Sequence, residues 1–265
     1  MSSVPTASRV PDLGDLDHRV PPTRVLSNGR YTVLITSAGT GTSVCDGTAI
    51  TPWAGDPVED ADGFFFYVRD LDSRARWSAG LQPTLCVPSE YRVAWEPGRF
   101  EIARVDGDVE TRLEVCVPPD RRLELRRITL RNRSVRRRRL ELTSFAEIAL
   151  SDAAAHAAHP AFSKLFLQTE WEPAESALLV RRRPRRTDES HPWVIHAMLG
   201  HEPDFETDRA RFLGRGGSRR APIALDAARL SRTVGNVLDP SVSLRCAVVL
   251  EAGQSTETVF VLGAG

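Results

Sequence analysis

A chain of 265 residues can bury a sizeable core, and 41% hydrophobic with 26% charged residues fits a folded globular protein rather than a disordered one. The 35 basic and 35 acidic residues cancel to a formal charge of +0, which argues against a long-range field drawing in nucleic acid or anionic lipid. No apolar run reaches the length of a membrane span, and residues 1–24 lack an apolar signal core. They read as a flexible lead-in, rich in Pro, Ser and Asp, to one domain over 25–265. Cys45, Cys86, Cys116 and Cys246 show no C-x-x-C spacing, so neither zinc nor a disulfide frame is expected, and a reducing cytoplasm is the simplest location.

In chain order, Arg30–Thr36 is a β-branched run behind a Ser27-Asn28-Gly29 turn and predicts the first firm strand. The loop Ser37–Ser43 holds a G-x-G, but no helical pattern and no Gly-Lys-Ser/Thr follows, so a hairpin is expected rather than a phosphate cradle. Phe64–Arg69 predicts a second strand, turning at Asp70–Ser73 into Arg76–Ser78. Tyr91–Trp95 and Phe100–Ile102 flank a Glu96-Pro97-Gly98 turn, and Asp106-Gly107 is a strong hairpin signal. Beyond it Val109, Thr111, Leu113, Val115 and Val117 share one face, with Glu110, Arg112 and Glu114 on the other. That alternation suits a half-buried antiparallel sheet.

Leu123 and Leu125 are out of phase with Ile128 and Leu130, which predicts a β-bulge near Arg126-Arg127. After the Asn132–Arg139 turn, Leu140, Leu142, Ser144, Ala146, Ile148 and Leu150 alternate with Glu141, Thr143, Phe145 and Glu147. The period then breaks. Leu150–Phe166 is Ala-rich and predicts one short helical or irregular insertion near 151–164. Leu165–Trp171, Leu178–Arg183, Trp193–Leu199 and Phe205–Phe212 return to strand-like patterns. Pro222–Leu230 admits a short helical turn, and Ser243–Leu250 with Thr256–Leu262 close the chain as a hairpin. The fold class expected is all-β, a large antiparallel two-sheet sandwich.

Few constellations point to chemistry. His156 and His159 have the i, i+3 spacing of a metal pair, but a third ligand at convincing spacing is missing, and no metal or cofactor is expected. Asp204, Glu206 and Asp208 alternate along one strand and admit a carboxylate pair for sugar chemistry, with salt bridges to Arg209 and Arg211 as the plainer account. No G-x-S-x-G offers a nucleophilic serine. The arginines of 136–139 and of 181–183, 185 and 186 read as solvated hairpin ends. Flat aromatic rings with polar neighbours suit sugar faces, which makes Tyr31, Trp53 and Trp77 candidates.

Several segments carry a resemblance. Leu26–Gly41, Phe66–Thr84, Arg104–Asp120, Glu141–Trp171, Glu206–Gly216 and Gly235–Arg245 are similar, in matching order, to the glycoside hydrolase family 94 group, formerly glycosyltransferase family 36. That group includes cellobiose and chitobiose phosphorylases and the phosphorylase-like region of cyclic β-1,2-glucan synthases, and the synthase type is the nearer. The resemblance implies the N-terminal supersandwich, two large antiparallel sheets packed face to face. It also implies that phosphorolysis with inversion, the general-acid aspartate and the phosphate site belong to a following (α/α)6 barrel, so no catalytic residue carries over. The family's G-Y-S-R-W and later T-R-W stand here as Gly41-Thr42-Ser43-Val44-Cys45 and Thr51-Pro52-Trp53, so Trp53 alone survives.

Three functions are carried forward. The first is a non-catalytic supersandwich, a fragment or separately encoded part of a β-glucan phosphorylase or glucan synthase, partnered by an (α/α)6 barrel domain and, by analogy, by a second copy. The second is a free-standing carbohydrate-binding module that contacts a β-glucan or gluco-oligosaccharide through Arg30, Tyr31, Trp53, Trp77 and Gln82. The third is an autonomous phosphorylase or hydrolase. An exposed apolar patch would favour the first over the second. Neither nucleic acid nor a membrane is expected as a partner.

Overall fold

The computed structural model describes residues 20–184, 186 and 191–265. Most of the expected lead-in over 1–24 lies outside the described residues, as does Arg185. Three antiparallel sheets make up the molecule. A small one runs in chain order through β1 (Thr23–Ser27), β2 (Tyr31–Thr36), β3 (Gly41–Cys45) and β4 (Thr48–Ala49). A five-stranded sheet has the order β15 (Asp204–Asp208), β16 (Pro240–Leu250), β11 (Arg138–Glu147), β5 (Phe64–Asp70), β6 (Arg76–Ser78). An eight-stranded sheet has the order β12 (Leu167–Glu172), β13 (Ala177–Arg182), β14 (Val194–Leu199), β17 (Ser255–Ala264), β10 (Leu123–Asn132), β9 (Val109–Cys116), β8 (Arg99–Asp106), β7 (Glu90–Glu96). The all-β sandwich is therefore present, with a third, smaller sheet added to the two expected. One apolar cluster draws on all three, including Ile35, Phe66, Ile102, Leu142 and Phe260.

Local chemistry explains the ladders. Gly107 at φ +58° supplies the left-handed residue that the Asp106-Gly107 hairpin needs, and β8 and β9 pair from Asp106↔Val109 outward. Val109, Thr111, Leu113 and Val115 are buried as their period predicts. The expected bulge at Arg126-Arg127 does not occur. Arg126 stands opposite Val115 and Phe260, and Arg127 opposite Glu114 and Val259, with no break on either side. The phase was misread because Glu124 and Arg126 lie on the core face with Ile128 and Leu130. Leu123 and Leu125 point the other way, onto the outer face of the eight-stranded sheet. There they pack with Ile195 around Ala177, Ala197 and Val261. Register carries this apolar stripe across four strands, Leu125↔Val261↔Ala197↔Ala177, with Leu199 52% exposed at its margin.

A register shift appears elsewhere, between Glu206 and Asp208 of β15. The strand expected over Phe205–Phe212 stops at Asp208 because that carboxylate accepts from the N–H groups of Ala210 (2.8 Å) and Arg211 (3.3 Å), starting helix α3 (Arg209–Leu213). Phe212 of α3 stacks on Phe145 at 4.5 Å, so the outer face of the five-stranded sheet is covered. The turn expected in 222–230 is a 3-10 helix over Ile223–Asp226. The insertion contains two short helices, α1 (Ala153–Ala158) and α2 (Pro160–Lys164), divided at Pro160, which lacks the N–H to continue a helix.

A buried ion pair lies where the sheets meet. Arg126 donates through Nε to Glu124 Oε2 at 2.6 Å and through Nη1 to the Phe64 carbonyl at 2.8 Å, and its guanidinium lies 4.7 Å over the Phe64 ring. Glu124 Oε1 accepts from the Tyr31 hydroxyl at 3.2 Å and from the Ser43 hydroxyl. Removing one partner of such a pair strands a charge in the core, at about 3–5 kcal/mol. Arg126→Leu should lose that much stability in urea denaturation, and Glu124→Leu/Arg126→Leu should be less destabilised than Arg126→Leu alone. A single-variant loss under ~1 kcal/mol would show the pair to be inert.

Candidate functional site

The richest side-chain chemistry lies where the insertion meets the end of β11. Asp152 caps α1 by accepting from Ala155 N–H at 2.9 Å. The helices carry Lys164, the chain's only lysine, to Glu147 Oε2 (2.8 Å) and Asp239 Oδ1 (2.6 Å). Arg209 of α3 bridges the same two carboxylates, at 2.7 Å to Glu147 Oε1 and 2.9 Å to Asp239 Oδ2. Arg219 adds a third cation to Glu147. Burial pushes the Glu147 carboxyl up, but Lys164, Arg219 and Arg209 outweigh it and hold it at about 2. Glu147 is thus an anion at any physiological pH and has no proton to give.

Beside this cluster, Arg182 leaves β13 and is itself buried. It donates to the carbonyls of Leu150 (2.6 Å) and Ala149 (3.0 Å) and to the Ser163 hydroxyl (2.7 Å), tying the insertion to the eight-stranded sheet. Leu150 sits at φ +43°, a left-handed conformation that costs a non-glycine residue energy. His156 is buried with Nδ1 unpaired, whereas His159 is exposed, so the two imidazoles do not converge. Burial lowers the His156 imidazole, and Lys164 and Arg182 lower it further. Among the described residues, no group of three His, Cys, Asp or Glu side chains is placed to hold a metal.

The acidic residues of β15 serve three separate tasks. Asp204 accepts from Leu230 N–H (2.6 Å) and Arg232 Nε (2.8 Å), and Glu206 accepts from the N–H groups of Thr207, Asp208 and Ser231. Asp208 caps α3, with Arg211 3.7 Å away, whereas Arg209 turns to Glu147 and Asp239 instead. The arginines of the 136–139 turn also have partners: Arg137 meets Glu251, Arg138 meets Asp70 and Asp108, and Arg139 meets Asp72.

The five expected sugar contacts are not brought together. Tyr31 is fully buried against Glu124, and Trp77 is buried with Nε1 donating to Thr111 Oγ1 at 3.0 Å, so neither ring offers a face to solvent. Their alternation marked them as strand residues, and it is the core that took them. Arg30 pairs with Asp46 at 2.9 Å and lines a shallow depression with Asn28 and Arg122. Trp53 (40% exposed) and Gln82 border one loop, where Gln82 Nε2 donates to the Glu59 carbonyl at 3.4 Å. In the same loop, burial pushes the Asp60 carboxyl up, a Thr40 hydrogen bond draws it down and Asp62 adds to the rise. Arg182 and Phe162 were not singled out from the sequence. Arg182 lay hidden in a basic run that read as surface, and nothing in Phe162's context marked it as exposed.

Comparison with known proteins identifies the family. Residues 13–265 match the family described as glycosyl hydrolase 94, supersandwich domain. The chain belongs to that family. It is 35% identical over 244 residues to the cyclic beta-(1,2)-glucan synthase NdvB of Rhizobium meliloti (strain 1021), an alignment spanning 90% of this chain and 9% of that protein. It is 25% identical over 208 residues to the 3-O-beta-D-glucopyranosyl-beta-D-glucuronide phosphorylase of Paenibacillus borealis, spanning 75% of this chain and 26% of that protein. This family member therefore spans a small part of the length of either relative. Among solved structures, the galactose mutarotase related enzyme of Lactobacillus acidophilus superposes with a TM-score of 0.51 at 10% identity, covering 92% of this chain and 97% of that one, which is a likeness of fold.

The Glu147 cluster makes acid stability testable. A carboxyl held at about 2, below the ordinary value of 4.5, contributes stability that is present above pH ~4.5 and lost as pH falls towards 2. Lys164→Met removes one of the three cations, so its acid-unfolding limb, followed by circular dichroism, should move to higher pH than that of the parent. An unshifted limb would show that Lys164 does not hold Glu147 ionised.

Proposed function

We propose that this supersandwich is a non-catalytic, carbohydrate-associated domain of a β-glucan-processing enzyme, of the kind its relatives' names describe, and that it acts beside an (α/α)6 barrel domain. The observation that carries this reading is the state of the buried carboxylates. Asp70, Glu101, Glu114, Glu124, Glu147 and Glu206 are the buried acids among the described residues, and each has a cation or backbone N–H groups against it. Glycosidic cleavage by a carboxyl pair needs one acid kept protonated. For Glu114 and Glu147 the neighbouring cations do the reverse, holding the carboxyl below its ordinary range.

On the outer face of the eight-stranded sheet Ala177, Ala197 and Val261 are buried and Leu123, Leu125 and Ile195 partly so, so the stripe there is not the exposed apolar patch that would favour this reading over a free-standing module. A free-standing sugar binder is the second reading, favoured by the exposed ring of Trp53. No described helix is long and apolar enough to cross a membrane, and a cytoplasmic setting fits the four free cysteines.

Incubated with inorganic phosphate and either cellobiose or β-1,2-linked gluco-oligosaccharides, the purified 265-residue chain should release no glucose 1-phosphate and no glucose. Turnover that Asp60→Asn abolishes would overturn the non-catalytic reading and place the acid in the Trp53 loop.

A further inference from the structure

We propose that α1 is an acid-released latch: the neutral ring of His156 docks this helix on the body of the protein, and a proton taken up by that ring lets it go. His156 is the one buried residue of α1, and Ala153, Ala154, Ala155, Ala157 and Ala158 around it are exposed. A helix of 6 residues is too short to persist alone in water. Docking of a single side chain therefore decides whether it forms.

The surroundings suit the neutral ring only. His156 is 8% exposed, and its Nδ1 is sealed from solvent with no hydrogen-bond partner. A proton there would leave a buried N–H unsatisfied and a charge away from water. Charged groups face the ring from each element around it: Lys164 of α2, Arg182 of β13, Glu147 of β11 and Asp62 of the loop before β5. Both carboxylates are already engaged. Glu147 holds Lys164, Arg209 and Arg219, while Asp62 accepts from Ala54 N–H at 2.6 Å and has Arg219 3.8 Å away. Asp152, His159 and His191 border the adjoining cleft at the insertion. Burial opposes an imidazolium most, Lys164 and Arg182 repel it, and the ring titrates below its ordinary value of 6.5.

The chain on either side permits release. α1 is entered through Leu150, at φ +43°, and is left through His159-Pro160, where proline prevents one continuous helix. α2 has its own anchors, since Lys164 meets Glu147 and Asp239 and the Ser163 hydroxyl meets Arg182. Released α1 binds the proton more readily than docked α1, so docking is at full strength above pH ~6.5 and weakens as pH falls below it. The Glu147 carboxyl is held at about 2, so α1 leaves while the cluster behind it is intact.

The test is nuclear magnetic resonance of the full chain at about pH 7.5 and about pH 5, reading backbone heteronuclear NOEs over 153–158 and 160–164. The 153–158 amides should be ordered at the higher pH and fall to the values of a mobile segment at the lower, while 160–164 and β13 stay ordered. The His156 ring, followed through its own proton signal, should titrate with the same midpoint, below pH ~6.5. His156→Leu, which has no proton to gain, should keep α1 ordered at both pH values, and His159→Ala, at an exposed position, should release as the parent does. Order kept over 153–158 by the parent at about pH 5, a ring midpoint at or above ~6.5, or a loss of order that spreads to β13 in step would each overturn the proposal. So would disorder at about pH 5 that His156→Leu does not prevent. None of these results bears on the phosphorolysis assay, so the two readings fail separately.

Discussion

One buried ion pair touches all three sheets. Glu124 and Arg126 belong to the eight-stranded sheet, their hydrogen-bond partners Tyr31 and Ser43 to the small sheet, and the Phe64 carbonyl to the five-stranded sheet. Removing two charges from water costs several kcal/mol for each ion, and attraction repays it only when the remaining lone pairs and protons are also satisfied. Here they are. Arg126 is 2% exposed and Glu124 fully buried, and burial together with Glu124 pushes the Tyr31 phenol well up, so that it stays a donor. Apolar side chains tolerate several packings of one sheet on another. A carboxylate that must meet a phenol, a hydroxyl and a guanidinium at once tolerates far fewer. The pair therefore fixes how the small sheet sits on the sandwich.

The same device recurs with weaker partners. His196 of β14 donates through Nδ1 to the Val261 carbonyl at 2.9 Å and meets the Ser144 hydroxyl of β11 at 2.8 Å through Nε2, linking the two large sheets. Burial lowers that imidazole to about 4, which keeps it neutral and able to accept from Ser144. Arg104 is buried under the 80–86 segment and holds it through the Gly80 and Cys86 carbonyls and Asp106. Arg182 does likewise for the insertion. In each case the apolar cluster supplies the driving force, and a charged or polar side chain selects which loop lies where.

Much of this fold was legible in the sequence because period-two patterns and turn residues agreed with one another, as at Asp106-Gly107 and in the run from Val109 to Val115. The failures have one physical origin. Reading a strand assumes that charged residues face water. Glu124 and Arg126 face the core, so Leu123 and Leu125 looked like the inner face and a bulge was invoked to repair the phase. Arg182 was read as a surface charge for the same reason. Tyr31 and Trp77 depart in the opposite sense: an aromatic ring with a polar end suits an outward contact, but a strand can bury both the ring and the polar end when Glu124 or Thr111 waits inside. The cleft at the insertion had no linear signature, since Thr48, Phe162 and Arg182 come from three parts of the chain.

Binding a sugar and cleaving it make opposite demands on electrostatics. A binding cleft needs donors and acceptors in balance and little net charge, so that many hydroxyls pair at once. A general acid needs a carboxyl whose proton is held by burial, with cations kept away. The arginine-rich composition of this chain, with Lys164 its only lysine, sets guanidinium groups beside most of its buried carboxylates, among them Glu101, Glu114, Glu124 and Glu147. That choice secures loops and sheets against one another, and it holds the Glu114 and Glu147 carboxyls below their ordinary range. A fold stabilised in this way uses its buried acids to hold loops and sheets together, which is what the proposed non-catalytic role asks of them.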